Sequence, residues 1–391
     1  MLCAALGAAP APVQVAPGGS PELRERVTLH YARLAHAMYD DALRGALALQ
    51  AAVERLLAAP SPDTLQAARR AWIDARRSYS QTEALRFGNS NVDLWEGNVN
   101  AWPIDEGFLD YVTGEYAYDV GNPHARENLV GSQHDLSPRA LRVSHEMAGL
   151  EPNVATGYHA IEFLLWGQDL NRTPASAGER PSTDYIDGPG CTHGSCARRA
   201  RYLLLTVRLL VDDLREMHAD WREQQGEYWT EFRGLDARER LGRMLVGLGS
   251  MGGGELAGER MRAALLAHSQ EDEQSCFSDT THLDLFYNAL GIQDLYLGRY
   301  TRSDGTLVEG PALSELVHSV DPELDRALRA RLEATQARAT AIVNAAESGE
   351  PFDRQIAAEN ATGTQRVQAM IDALAAQTES FAAVTARLVG P

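Results

Sequence analysis

Positive charge is the first scarcity in this chain. Against 54 Asp and Glu stand 36 Lys and Arg, which leaves a formal net charge of -18 over 391 residues. An excess of that sign opposes binding to nucleic acid or to an anionic membrane surface and favours cationic partners, metal ions included. Long apolar runs are also missing. No stretch approaches the roughly 18 consecutive apolar residues of a membrane helix, so any membrane association would be peripheral.

Cysteine is limited to four residues. Cys191 and Cys196 bracket the glycine-rich loop GPGCTHGSCARR, a spacing that suits a small disulfide loop in an oxidising compartment. A Cys/His metal clip through His193 is the alternative. Cys276, in EQSCFSD, has no evident partner. The absence of CxxCH excludes covalent c-type haem. GSMGGGE lacks the Lys-Ser/Thr ending of a phosphate loop, and neither a dinucleotide fingerprint nor a nucleophile elbow is present. Runs of alternating strand pattern are missing too, so the expected class is all-α.

What is present begins with MLCAALGAAPAPVQVAPGGS, small and apolar, then rich in Pro and Gly, ahead of the first charged residue, Glu22. It resembles the later part of an export signal with an Ala-rich cleavage region, although no basic segment precedes it. Residues 1–20 are therefore read as a signal-like or disordered segment, with Cys3 as a lipidation candidate, and the expected location is the periplasm or cell envelope.

Helix starts are well marked beyond it. Ser20-Pro21, Ser61-Pro62, Ser137-Pro138 and Asp321-Pro322 each place a capping side chain before a proline suited to the first turn. Val27, Tyr31, Leu34, Met38 and Ala42 form an apolar stripe at spacings of three and four, and Trp72, Ala75, Tyr79 and Leu85 form another. Residues 88–152 read as a long polar, Gly-containing stretch. A later helix is expected to break or bend at Gly252 to Gly254, and SDGT reads as a hairpin-like turn.

A faint echo links the two halves. Trp72 precedes Glu83 by eleven residues, as Met244 precedes Glu255, and HAIEFLLWGQDL is matched by HLDLFYNALGIQDLYLG. Two related helical bundles packed together are expected, over residues 21–190 and 191–391, with a ligand site at their junction.

The stretch GYHAIEFLLWG carries the chemistry. At 100° per residue His159 and Glu162 share one face of a helix whose other faces are apolar, so the pair is expected to be buried and able to share one ion. A chance pairing, or a hydrogen-bonded core histidine, is the plain alternative.

These motifs together resemble the imelysin-like family. GYHAIEFLLWG fits its GxHxxE signature, and ELAGERM, EDEQSCFSDTTHLD, NAWPIDEGFLDYV, GERPSTDY and PFDRQI are similar to other segments of it, so the resemblance covers nearly all of the chain beyond residue 20. It implies an all-α fold of two bundles, an exported protein of the bacterial envelope, a part in iron uptake, and a site near the GxHxxE helix. Relatives tend to read SDNTH where this chain has Ser278-Asp279-Thr280-Thr281-His282.

Two ligands do not hold an iron or zinc ion, and a third and fourth must come from elsewhere. Glu83 and Asp105 are the carboxylate candidates; pairing of Glu83 with Arg76 or Arg86, and helix capping by Asp105, are the alternatives. Asp279 and His282 are expected to complete the site across the junction or to cap the helix that begins there. Arg76 and Arg260 are expected to hold an anionic chelator or to support ligating carboxylates, surface salt bridges being the alternative. Imidazole with carboxylates admits Fe(II), Fe(III) and Zn(II).

The first functional expectation is thus an exported protein that captures iron, as the ion or a chelate, for an envelope transport partner. The second is a zinc metallopeptidase, the class to which the family was once assigned; the missing HExxH and the use of Glu162 as a ligand count against it. The third is a helical interaction module without metal, with Trp102, Trp166, Tyr116 and Tyr118 lining a groove.

Overall fold

A computed structural model describes residues 19–113, 121–170 and 177–390. The signal-like start with Cys3, and Tyr116 and Tyr118 of the expected groove, lie outside the described residues. The first half holds α1 (Pro21–Ala58), α2 (Pro62–Thr82), α3 (Ser90–Asn100), α4 (Glu106–Leu109), α5 (Pro138–Ser144), α6 (Gly157–Trp166) and α7 (Cys196–Asp220). Then come α8 (Glu227–Gly234), α9 (Ala237–Ser250), a π-helical continuation (Met251–Arg262), α10 (Ala263–Ala267) and α11 (Thr281–Leu297). Strands β1 (Arg299–Thr301) and β2 (Leu307–Glu309) precede α12 (Leu313–Val320), α13 (Pro322–Glu347), α14 (Phe352–Ile356) and α15 (Ala361–Leu388).

All four capping pairs open helices. The Ser20 side chain accepts from the Leu23 amide at 3.1 Å at the head of α1, and Ser137 accepts from Ala140 at 3.2 Å at the head of α5. Asp321 does the same for Leu324 at 3.1 Å in α13. Ser61 and Thr64 cap α2 reciprocally, each side chain accepting the other's backbone amide. The SDGT segment closes the β1–β2 hairpin, the Asp304 carboxylate accepting from the Thr306 amide at 2.9 Å.

Packing sorts the helices into two groups. α1 lies along α2 and α7, while α6 is set against α2, α3 and α7. In the second group α15 packs on α13, α9 and the π-helix, and α11 packs on α13. The groups meet where α11 crosses α2 and α9 crosses α1. That crossing is close: a Cβ on Gly291 would lie 2.3 Å from the Gln81 carbonyl oxygen, so only glycine permits it. No described helix is long and apolar enough to cross a membrane.

Three expectations change in detail. α7, placed beyond the boundary at residues 190/191, packs with the first group, and Tyr202 on it donates to the Ala155 carbonyl at 2.9 Å just ahead of α6. The polar stretch 88–152 contains α3, because Val92, Trp95 and Val99 form a buried stripe at spacings of three and four. The helix through Gly252 to Gly254, expected to break or bend, runs on without a break. It widens into π geometry and turns Leu256 and Arg260 inward, both fully buried.

Candidate metal centre

The helix α6 is built to enter the core. Gly157 opens it at φ +88°, where a Cβ would lie 2.7 Å from the Val99 carbonyl oxygen, so the glycine of the motif lets α6 start against the end of α3. All ten residues of α6 are buried. His159 Nδ1 and Glu162 Oε2 are 2.8 Å apart, as a spacing of three on one helix allows. Trp72 fixes the same region, donating its indole N–H to the Tyr158 carbonyl at 2.9 Å and meeting the His159 ring edge-on at 6.5 Å.

Glu162 also reaches across to the loop before α11. Its Oε1 accepts from the Ser278 amide at 2.9 Å and from the Ser278 hydroxyl at 2.6 Å. Burial pushes the Glu162 carboxyl up to about 8, against the pull of these hydrogen bonds and of Arg76. Burial, with the Arg76 and Arg260 charges, pushes the His159 imidazole far below its usual value, so the ring is neutral. Thr280 bonds the Ser278 hydroxyl at 2.7 Å.

The other imidazole nitrogen is unused. His159 Nε2 is buried and has no hydrogen-bond partner among the described residues. The ring lines a tight cavity with Trp102, Ile104, Glu271, Glu273, Cys276 and Phe277. Its free space of about 10 Å³ is close to that of one water or one ion. Burial and the surrounding Glu162, Glu271, Glu273 and Glu106 charges push the Cys276 thiol well up, so it is a poor thiolate donor here.

Glu83 does not join this pair. It sits in the turn after α2, fully buried, ion-paired with Arg260 and bonded by Asn100 at 3.1 Å and Asn288 at 3.0 Å. Burial raises its pKa, but the Arg260 charge and hydrogen bond, with Arg76, override that and leave it below the usual carboxylate value. Both oxygens are therefore occupied by a clamp across the seam. Its partner is neither Arg76 nor Arg86, the two expected from sequence.

The two arginines are core residues and not surface ones. Arg76 pairs with Asp284 at 2.8 Å, bonds Asn100, and lies over the Tyr79 and Tyr158 rings. Arg260 adds Glu255 at 2.8 Å, Gln274 at 2.9 Å and Asn288 at 2.8 Å. Glu83 and Glu255, matched in the sequence echo, thus share one guanidinium. The chain contains no lysine, so every such buried side-chain cation is an arginine or a protonated histidine.

Asp105 precedes α4 without a side-chain cap and accepts from Asn122, which also bonds Asn153 at 2.7 Å. It does not line the His159 cavity. His282 lies in the first turn of α11; burial pushes its pKa down to about 4 and its Nδ1 has no hydrogen-bond partner among the described residues. Asp279 instead falls beside Glu273 and Asp353, two residues the sequence did not single out. Burial and neighbouring carboxylates push Asp279 up to about 7 and Glu273 well above the usual range. Cys191 and Cys196 are joined as a disulfide, and His193 beside them bonds Asp184 at 2.6 Å.

A predominantly helical protein with a buried His-Glu pair where two groups of helices meet is the class defined by this fold and site. The chain belongs to the imelysin family, whose profile matches residues 35–381. Iron-regulated protein A of Synechococcus elongatus is 37% identical over 67 residues, which cover 17% of this chain and 19% of that relative. A candidate iron-regulated protein A precursor from Parabacteroides distasonis shares the fold with a TM-score of 0.71 and 18% identity, over 95% of this chain and 97% of that one. An imelysin-like protein from Psychrobacter arcticus does so with a TM-score of 0.60 and 14% identity, over 95% and 96%.

Proposed function

We propose that this protein serves bacterial iron uptake as an exported metal-binding protein of the periplasm or envelope, taking iron as an ion or chelate at the His159–Glu162 helix and passing it to an envelope transport partner. The observation that carries this reading is the His159 Nε2 atom, neutral, buried and without a partner among the described residues, on a cavity that Glu271 and Glu273 also line. An orphaned buried nitrogen is costly in an apo core, and a bound cation would offset that cost. Glu162 acts one step back: with a cation at Nε2 its carboxyl group would ionise and accept the Nδ1–H hydrogen bond at Oε2, leaving the Nε2 lone pair for the ion. Imidazole with carboxylates suits iron and also zinc.

Membership of the imelysin family and the iron-regulated names of two relatives support the iron reading, and the word precursor in one of them supports export. The geometry favours binding over peptide hydrolysis. Glu162 is held by His159 and Ser278, which leaves no free base in the motif, and the cavity is too small for a peptide.

Titration of the purified chain with Fe(II), Fe(III)-citrate and Zn(II), beside His159→Ala and Glu162→Gln, tests the reading. Expected are tight binding of iron by the wild type, loss of one iron equivalent in His159→Ala, a weaker site in Glu162→Gln, and no peptide cleavage. Iron binding with unchanged stoichiometry and affinity in His159→Ala would overturn it.

A further inference from the structure

We propose that Glu273, Asp279 and Asp353 form a second, all-carboxylate site for one hard di- or trivalent cation. The proposal goes beyond the His159 reading and does not depend on it. The three side chains come from separate places: Glu273 follows the turn after α10, Asp279 lies in the loop before α11, and Asp353 is in the first turn of α14. Each offers one oxygen, and the three oxygens lie within 4.8 Å of one another. Two ligands on opposite sides of an ion are separated by about 4–5 Å when metal–oxygen distances are 2.0–2.6 Å, so one ion fits among them.

Burial separates this cluster from an ordinary acidic surface. Glu273 is 2% exposed, and neither of its oxygens has a well-formed hydrogen bond among the described residues, the Thr281 side chain offering only a weak one. Asp353 is 8% exposed; its Oδ1 is likewise unpartnered, while its Oδ2 faces Arg354 at 3.2 Å. Asp279 Oδ1 is the fourth such oxygen. Buried carboxylates nearly always have partners, and three of them that carry unpartnered oxygens and bring one oxygen each within 4.8 Å of the others ask for a cation. Arg354 faces one of the three carboxyl groups.

The donor set names the class of ion. Oxygen-only carboxylate ligands select hard cations such as Ca(II), Mn(II) and Fe(III), and give softer ions no nitrogen or sulfur. Glu273 also lines the His159 cavity, so Asp279 and Asp353, which do not, are the residues that tell the two sites apart.

The test is titration of the full chain, stripped with a chelator, with Mn(II), read by the electron paramagnetic resonance of free Mn(II) and by thermal melting. Expected is one Mn(II) per chain and a rise in Tm, with affinity lowered about ten- to a hundredfold in Asp353→Asn and in Asp279→Asn and unchanged in His159→Ala. The apo Asp279→Asn variant is expected to melt no lower than apo wild type, since Asp279 gives up a carboxylate crowded by Glu273 and Asp353; that separates lost binding from lost folding. No Mn(II) binding by wild type, unchanged affinity in both Asn variants, or loss of Mn(II) in His159→Ala would each overturn the second site. The last outcome would leave the His159 reading standing.

Discussion

Ser278 holds Glu162 with two hydrogen bonds, from its amide at 2.9 Å and its hydroxyl at 2.6 Å, and so ties the motif helix to the loop that begins the far side of the seam. Ser278→Ala removes the hydroxyl and keeps the amide. Loss of a buried hydrogen bond to an acid costs about 1–3 kcal/mol, so urea unfolding is expected to shift by that amount. Iron affinity should fall with it, because Glu162 then orients His159 less firmly. Unchanged iron affinity in a destabilised variant would confine Ser278 to a structural part.

Arg260 and Glu83 make a second prediction about the seam. Both are fully buried and directly paired, and Asn100 and Asn288 complete the Glu83 carboxylate. Arg260→Met strands that charge and is expected to destabilise the fold by about 3–5 kcal/mol. Glu83→Gln in the same chain should recover much of the loss. Equal unfolding midpoints for the single and double variants would show that the pair is not coupled.

The seam also shows what a sequence can and cannot disclose. Helix starts were legible because their signals are local: Ser20, Ser61, Ser137 and Asp321 cap within three residues of themselves. The burial of His159 and Glu162 was legible from the apolar residues on either side. Arg260 as the partner of Glu83 was not, since 177 positions separate them and nothing in either neighbourhood points to the other. Glu273 and Asp353 were hidden for another reason. An acidic run such as EDEQ reads as solvated, and only the tertiary fold puts Glu273 inside, beside Asp279 and Asp353. α3 was missed because Asn and Gly residues dilute a stripe of only three apolar positions.

Gly157 gives the third prediction. Its φ of +88° and the 2.7 Å approach to Val99 leave no room for a side chain. Gly157→Ala is expected to cost at least about 1–2 kcal/mol from the backbone conformation alone, with the contact adding to it. Since α6 must then move relative to α3, iron binding should weaken as well. A variant of wild-type stability would show that α6 can start another way.

Asp294 supplies a pH dependence away from both proposed metal sites. It is buried on α11, with Arg299 only at 4.0 Å, and burial pushes its pKa up to about 7 against that weak attraction. The ordinary value in the unfolded chain is 3.8. Between those limits the folded protein keeps a proton that the unfolded chain has lost, so stability falls as pH rises from about 4 to about 7 and is flat beyond. Asp294→Asn has no such proton. Its stability relative to wild type is therefore expected to grow through that window, by up to about 4 kcal/mol at 1.36 kcal/mol per pKa unit. Urea unfolding of both proteins at pH 4.5, 6 and 8 measures it. A constant difference across the three would mean that Asp294 is ionised throughout and that solvent reaching the carboxylate, not the protein, sets its charge.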